Sequence, residues 1–212
     1  SRAGSILTLF VTISVPIAGL AQQSSPQISV DLRTEEALIQ QGHLEEAKAM
    51  TLEKLRRSPS VEAYNLLGII ESEEHDYPNA LDAFHRALQL APSSTKTHNN
   101  LGNVYLAEKK PDLAEKEFRA ILRLDPGNRD ANYNLGLLLI TKGSPAAAIG
   151  HFERIRPADL ETRLNLIRAY LQSKRTTEAL RLTTQLSSEN KDDVQLHFSL
   201  GALLASEKQY IT

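Results

Sequence analysis

The chain has 212 residues, of which 41% are apolar, 5% aromatic and none cysteine. Its 24 Lys and Arg face 26 Asp and Glu, for a net charge of −2 and a pI near 6.3. This excludes a disulfide framework, a lipoprotein cysteine and a thiolate nucleophile, and it leaves no strong electrostatic footprint for nucleic acid.

Residues 1–21 read as an export signal. Arg2 precedes an uncharged run from Ile6 to Ala21 that ends on the small-x-small triplet Gly19-Leu20-Ala21. These are the parts of a secretory signal. The alternative is an uncleaved membrane anchor. The run is short for a spanning helix of about 20 residues, and Pro16 near its end suits a signal better. After cleavage the mature chain would start near Gln22, and a membrane is a partner only if the segment is retained. Residues 22–30 read as a linker.

The rest of the chain, 31–212, is built from repeats. A degenerate unit over 28–60 carries Ala47 and Pro59. The unit 61–94 holds Leu67-Gly68, then Ala80, Phe84 and Pro92. The unit 95–128 holds Leu101-Gly102, Tyr105, Ala114, Phe118 and Pro126, and 129–159 holds Leu135-Gly136, Ala148 and Phe152. In 160–193, Tyr170 and Ala179 keep the pattern, but Ile167 stands in the glycine's place and Thr183 in the phenylalanine's. A partial unit, 194–212, opens with Leu200-Gly201. Gly68, Gly102 and Gly136 are 34 residues apart, whereas Gly136 to Ile167 and Ala148 to Ala179 are both 31. The missing residues fall after Ala148, so the second helix of that unit is expected to stop short at Pro157.

The chemistry of these landmarks predicts paired helices. Tyr64, Leu67, Gly68 and Glu71, like Ala80, Leu81, Phe84 and Leu88, recur at helical spacing. Gly and Ala belong where two helix axes approach closely, and the aromatic ring fills the gap that remains. Asp125-Pro126-Gly127-Asn128 has the chemistry of a helix stop and turn. One hairpin cannot bury its apolar face, so neighbours must stack, and a stack needs a polar terminal cap. Further repeats or another domain are therefore expected beyond Thr212.

The order Leu-Gly, Tyr, Ala, Phe, Pro, in several copies, resembles the tetratricopeptide repeat family. The resemblance covers about residues 28–212. It implies an all-α, right-handed superhelical solenoid whose first helices line a concave groove. The residues it places in the groove are Asn65, Ile69 and Ser72, then Asn99, Asn103 and Leu106. Further along come Tyr133, Leu137 and Ile140, then Leu164, Arg168 and Leu171, then Phe198, Ala202 and Ala205. Members that hold a C-terminal carboxylate do so with Lys, Asn and Arg side chains. Of the matching positions here only Asn103 and Arg168 are of the right type, so that clamp is absent.

Nothing in the sequence points to catalysis. Zinc-protease, nucleophile-elbow and phosphate-loop motifs are missing. No cofactor, metal or small-molecule substrate is expected. His98 and His197 read as packing between helices, His85 and His151 as solvated. The acidic cluster Glu71, Glu73, Glu74 and Asp76 reads as a solvated helix end, since calcium needs a loop wrapping six or more oxygens. Tyr105 and Tyr170 read as core. Two function classes stay open. One is a non-catalytic scaffold binding a protein or peptide segment; signal-bearing members of the family imply a bacterial periplasmic setting for it. The other is the recruiting or regulatory arm of a longer enzyme.

Overall fold

The computed structural model describes residues 31–208, so the expected signal and linker lie outside the described residues. Among the described residues there are eleven helices and no strand, and no helix is long and apolar enough to cross a membrane. They form hairpins in chain order: α1 (Arg33–Gln40) with α2 (Leu44–Arg57), α3 (Val61–Glu73) with α4 (Tyr77–Leu90), and α5 (Thr95–Ala107) with α6 (Pro111–Leu124). Then come α7 (Arg129–Thr141) with α8 (Pro145–Phe152), α9 (Leu160–Gln172) with α10 (Thr176–Glu189), and α11 (Val194–Lys208). The second helix of each hairpin packs on the first helix of the next, and first helices also touch one another at α3–α5, α7–α9 and α9–α11. The product is an all-α solenoid.

Local chemistry explains where the elements begin and turn. Ser60, Ser94, Asn128 and Asp159 each accept a hydrogen bond from the backbone N–H three residues on, at the head of α3, α5, α7 and α9. Asp193 does the same for α11 through Leu196, at 2.8 Å. Such caps satisfy an otherwise orphaned donor and contribute about 1 kcal/mol each. Inside every hairpin one residue is left-handed: Gly42 (φ 79°), His75 (61°), Lys109 (59°), Gly143 (71°) and Lys174 (59°). The caps keep the repeat step, and so do the turn residues from His75 onward.

The helix contact itself is steric. A Cβ on Gly68, Gly102 or Gly136 would lie 2.6, 2.5 or 2.6 Å from a ring carbon of Phe84, Phe118 or Phe152. All three rings are fully buried, so the glycines are what let the paired helices close. In α9 and α10 the pair becomes Ile167, fully buried, and Thr183, half-buried with its hydroxyl donating to the Ala179 carbonyl at 2.9 Å.

One expectation needs correction. The second helix α8 ends at Phe152, not at Pro157. It has 8 residues where α4, α6 and α10 have 14. Pro157 disfavours helical backbone at Arg156, but the helix has already ended because Ile155 turns into the core, at 2% exposure. Arg129 then ties the connection down by donating to the Pro157 carbonyl at 2.8 Å and to Asp159 at 2.5 Å.

Candidate groove of the first helices

A cavity of about 660 Å³ spans the first helices α1, α3 and α5. Leu66 and Ile69 line its apolar side, with Glu36, Glu62, Arg33 and Lys96 around them. A smaller cavity of about 310 Å³ follows between α3 and α5, at Ile69, Ser72, Asn103 and Ala107. First-helix residues therefore line both of these cavities. The contribution of α1 was missed by sequence reasoning because its unit lacks the Leu-Gly pair. Its signal was the apolar pair Leu38-Ile39, one turn after Glu35.

The predicted groove residues divide into three kinds. Asn103, Leu106, Arg168 and Phe198 are exposed, and Phe198 is 74% so. Ile69, Ser72, Asn99, Tyr133, Leu137, Ile140 and Leu164 are half-buried. Asn65 and Leu171 are interior, at 2% and 6% exposure. Leu137, Ile140 and Leu164 pack against the main core with one flank, so they are not free knobs.

The asparagines have work within the solenoid. The Asn134 amide donates to Asn99 Oδ1 at 2.9 Å, and the Asn165 amide donates to the Tyr133 hydroxyl at 3.1 Å. These bonds join successive first helices at one repeat position. One step earlier the same register holds Asn65 and Asn100. There the acceptor Oδ1 of Asn65 and the donor Nδ2 of Asn100 are both buried without a partner, while Asn65 Nδ2 donates to the Val61 carbonyl at 2.9 Å. Asn99 is thus committed to the stack, whereas Asn65 is bonded only within its own helix. Asn103 keeps its side chain exposed in the groove.

Tyr133 is the most constrained groove residue. Its hydroxyl donates to Glu161, and its ring meets Phe152 edge-on with centroids 6.1 Å apart. Burial and the Glu161 carboxylate push its hydroxyl up to about 12. Tyr170 is core, with its hydroxyl donating to Glu153 at 2.6 Å, and burial again raises it to about 12. Tyr105 is half-buried against the core.

Two side-chain readings change. His151 is half-buried, with Nδ1 3.0 Å from Asn132 Oδ1. The acidic cluster is not simply solvated: Glu71 is 7% exposed, and Lys48 lies 2.7 Å from Glu74 and 3.8 Å from Glu71. Burial raises the Glu71 carboxyl above its usual range. His98 does pack between helices, between Glu117 at 2.7 Å and the Pro92 carbonyl at 3.1 Å. Among the described residues no group of three or more metal-ligating side chains forms.

A family model described as tetratricopeptide repeat matches residues 36–95 and 99–159, and a second model of the same description matches 139–205. The chain belongs to the tetratricopeptide repeat family. Solved structures share the fold. A tetratricopeptide repeat protein from Parabacteroides merdae superposes with a TM-score of 0.69 at 20% identity, over 81% of this chain and 70% of its own. MamA gives 0.65 at 18% identity, over 77% and 92%. YrrB, described as a tetratricopeptide repeat protein with an unusual peptide-binding site, gives 0.62 at 20% identity, over 74% and 84%. No curated protein matches significantly by sequence. The tetratricopeptide repeat architecture is that of a protein-interaction scaffold.

Proposed function

We propose that this tetratricopeptide repeat chain is a non-catalytic scaffold of the bacterial cell envelope that takes a protein or peptide segment along the concave face of its first helices. The observation that carries the reading is the cavity across α1, α3 and α5, apolar at Leu66 and Ile69 and edged by Glu36, Glu62 and Lys96. An apolar floor with a charged edge suits an amphipathic segment: buried apolar anchors supply affinity, and edge charges set orientation and on-rate. Beyond the cavity, Leu106, Leu137, Ile140 and Leu164 continue the apolar face. Arg168 beside them is placed to meet one acidic residue of the segment. YrrB is a precedent for peptide binding on this fold. The envelope setting rests on residues 1–21 alone.

The test is a pull-down from envelope extract with wild type and with Ile69→Ser/Leu106→Ser, circular dichroism being run on both. Ile69 is half-buried and Leu106 38% exposed, so the double variant is expected to stay folded. It should lose a groove partner by about 1–3 kcal/mol of binding. Retention of the same partners by the folded variant would overturn the groove reading. Sequencing the N-terminus of the protein recovered from cells is expected to begin near Gln22; an intact Ile6–Ala21 segment in the membrane fraction would overturn cleavage in favour of the anchor.

A further inference from the structure

The second helices carry a cavity unrelated to the groove. It measures about 360 Å³ and lies between α6 and α8, lined by Arg119, Leu122, Arg123, Asn132, His151 and Arg154. Three guanidinium groups from two successive units converge on one concavity. The carboxylates nearest in sequence are engaged elsewhere. Glu117 faces His98, Glu153 accepts from Tyr170, and Asp125 accepts from the Gly127 backbone N–H. Glu115 alone reaches the cluster: Arg119 donates to it at 2.9 Å, and so does Lys142 at 2.6 Å, which also meets Asp112 at 2.7 Å. Of the three arginines that line the cavity, only Arg119 has a carboxylate partner among the described residues, Glu115. Arg123 has no carboxylate partner among the described residues. Arg154 donates only to the Gly150 carbonyl, at 2.9 Å.

The buried polar wall of the cavity is organised as well. Asn132 is fully buried, and its amide nitrogen donates to the carbonyls of Pro126 (3.0 Å) and Asn128 (2.8 Å). That fixes its oxygen toward His151 Nδ1 at 3.0 Å. The ring is held there with Nδ1 as donor, which leaves Nε2 as the nitrogen free to gain a proton.

We propose that this cavity binds a phosphate-type anion, free or as a phosphomonoester, between Arg119, Arg123 and Arg154, with His151 donating from Nε2. Planar guanidinium forks match tetrahedral phosphate oxygens bidentately. His151 supplies the linkage. Burial, then Arg154 and Arg119, hold its imidazolium form down, with Glu115 opposing them. An anion among these arginines removes that repulsion, so binding must raise the His151 midpoint, and protonated His151 must in turn bind the anion more tightly.

The experiment uses the full 212-residue chain and inorganic phosphate, with acetate at matched ionic strength as control. The readout is the His151 imidazole resonance across pH. Phosphate is expected to raise the midpoint by about one pH unit, acetate to leave it in place. Arg123→Gln and Arg154→Gln, both at exposed positions, should abolish the rise while leaving circular dichroism unchanged. No rise in wild type, an equal rise with acetate, or a rise that survives both substitutions would each overturn the proposal. Phosphatidylcholine vesicles doped with phosphatidic acid separate the sources. Retention on them assigns a headgroup, phosphate binding without retention assigns a soluble phosphate, and failure of both overturns the site.

Discussion

The three regular hairpins and the α9/α10 hairpin solve one packing problem in opposite ways. In α3/α4, α5/α6 and α7/α8 the first helix gives up its side chain and the second fills the space with a phenyl ring, so that a Cβ has no room at Gly68, Gly102 or Gly136. In α9/α10 the bulk sits on the first helix, as fully buried Ile167, and the second helix offers only Thr183. What recurs from unit to unit is filled volume at a close helix contact, not either residue alone. Interiors are packed near crystal density, so the two positions must change together. A glycine facing a threonine would leave a void, and an isoleucine facing a phenylalanine would force the helices apart.

The largest break of this comparison is at the rings. Phe118→Ala removes a fully buried phenyl whose space the neighbouring glycine cannot fill. It should cost about 3–5 kcal/mol. Thr183→Ala at the matching place loses one hydroxyl bonded to its own helix and should cost less than about 1 kcal/mol. Urea denaturation of the two variants side by side measures the contrast. Similar losses would mean that Thr183, despite its size, carries the contact in α10.

Next in size is the glycine side. Gly102→Leu places a Cβ 2.5 Å from the Phe118 ring, and overpacking of this kind costs about 1–3 kcal/mol. Because each unit is stabilised by its neighbours, the loss should spread along the stack. The sharper form is a cycle of Gly102→Ile, Phe118→Thr and the pair, which rebuilds the α9/α10 solution inside α5/α6. The double variant should recover about 1–3 kcal/mol relative to the sum of the single losses. Additive losses would show that the two positions do not share one volume.

Legibility in the sequence followed the same physics. Gly68/Phe84, Gly102/Phe118 and Gly136/Phe152 stood out because sterics permit one small and one large residue at a contact, so the same letters recur. The caps keep the same step, yet Ser60, Ser94, Asn128, Asp159 and Asp193 share a function and not a letter, since any short oxygen-bearing side chain can accept the bond. The groove was less legible. A helical face drawn from spacing includes Asn65 and Leu171, which contacts between successive units draw into the interior. The clustered arginines were hidden for another reason: Arg119 and Arg154 stand 35 residues apart, and only stacking brings them to one cavity. Arginines that stand far apart along the chain thus meet in space.

The smallest expected effect concerns the turn within each hairpin, where the units differ again. Gly42 and Gly143 occupy a left-handed conformation that costs glycine little, whereas His75, Lys109 and Lys174 hold it with a side chain attached. For a residue with a Cβ that conformation costs roughly 1–2 kcal/mol. Glycine recovers this but loses more chain entropy on folding, which offsets part of the gain. Lys109→Gly should therefore stabilise by about 0.5–1 kcal/mol, with Lys174→Gly similar. Gly143→Ala should lose about 1 kcal/mol, because no neighbour crowds that Cβ and only backbone strain opposes it. The Lys109 side chain is exposed and at a turn, so its removal breaks no packing. Urea midpoints of the three variants decide the matter. A loss of stability in Lys109→Gly would mean that the entropy of the unfolded chain outweighs the strain at this turn, and that the two glycine-bearing hairpins gain nothing over the other three.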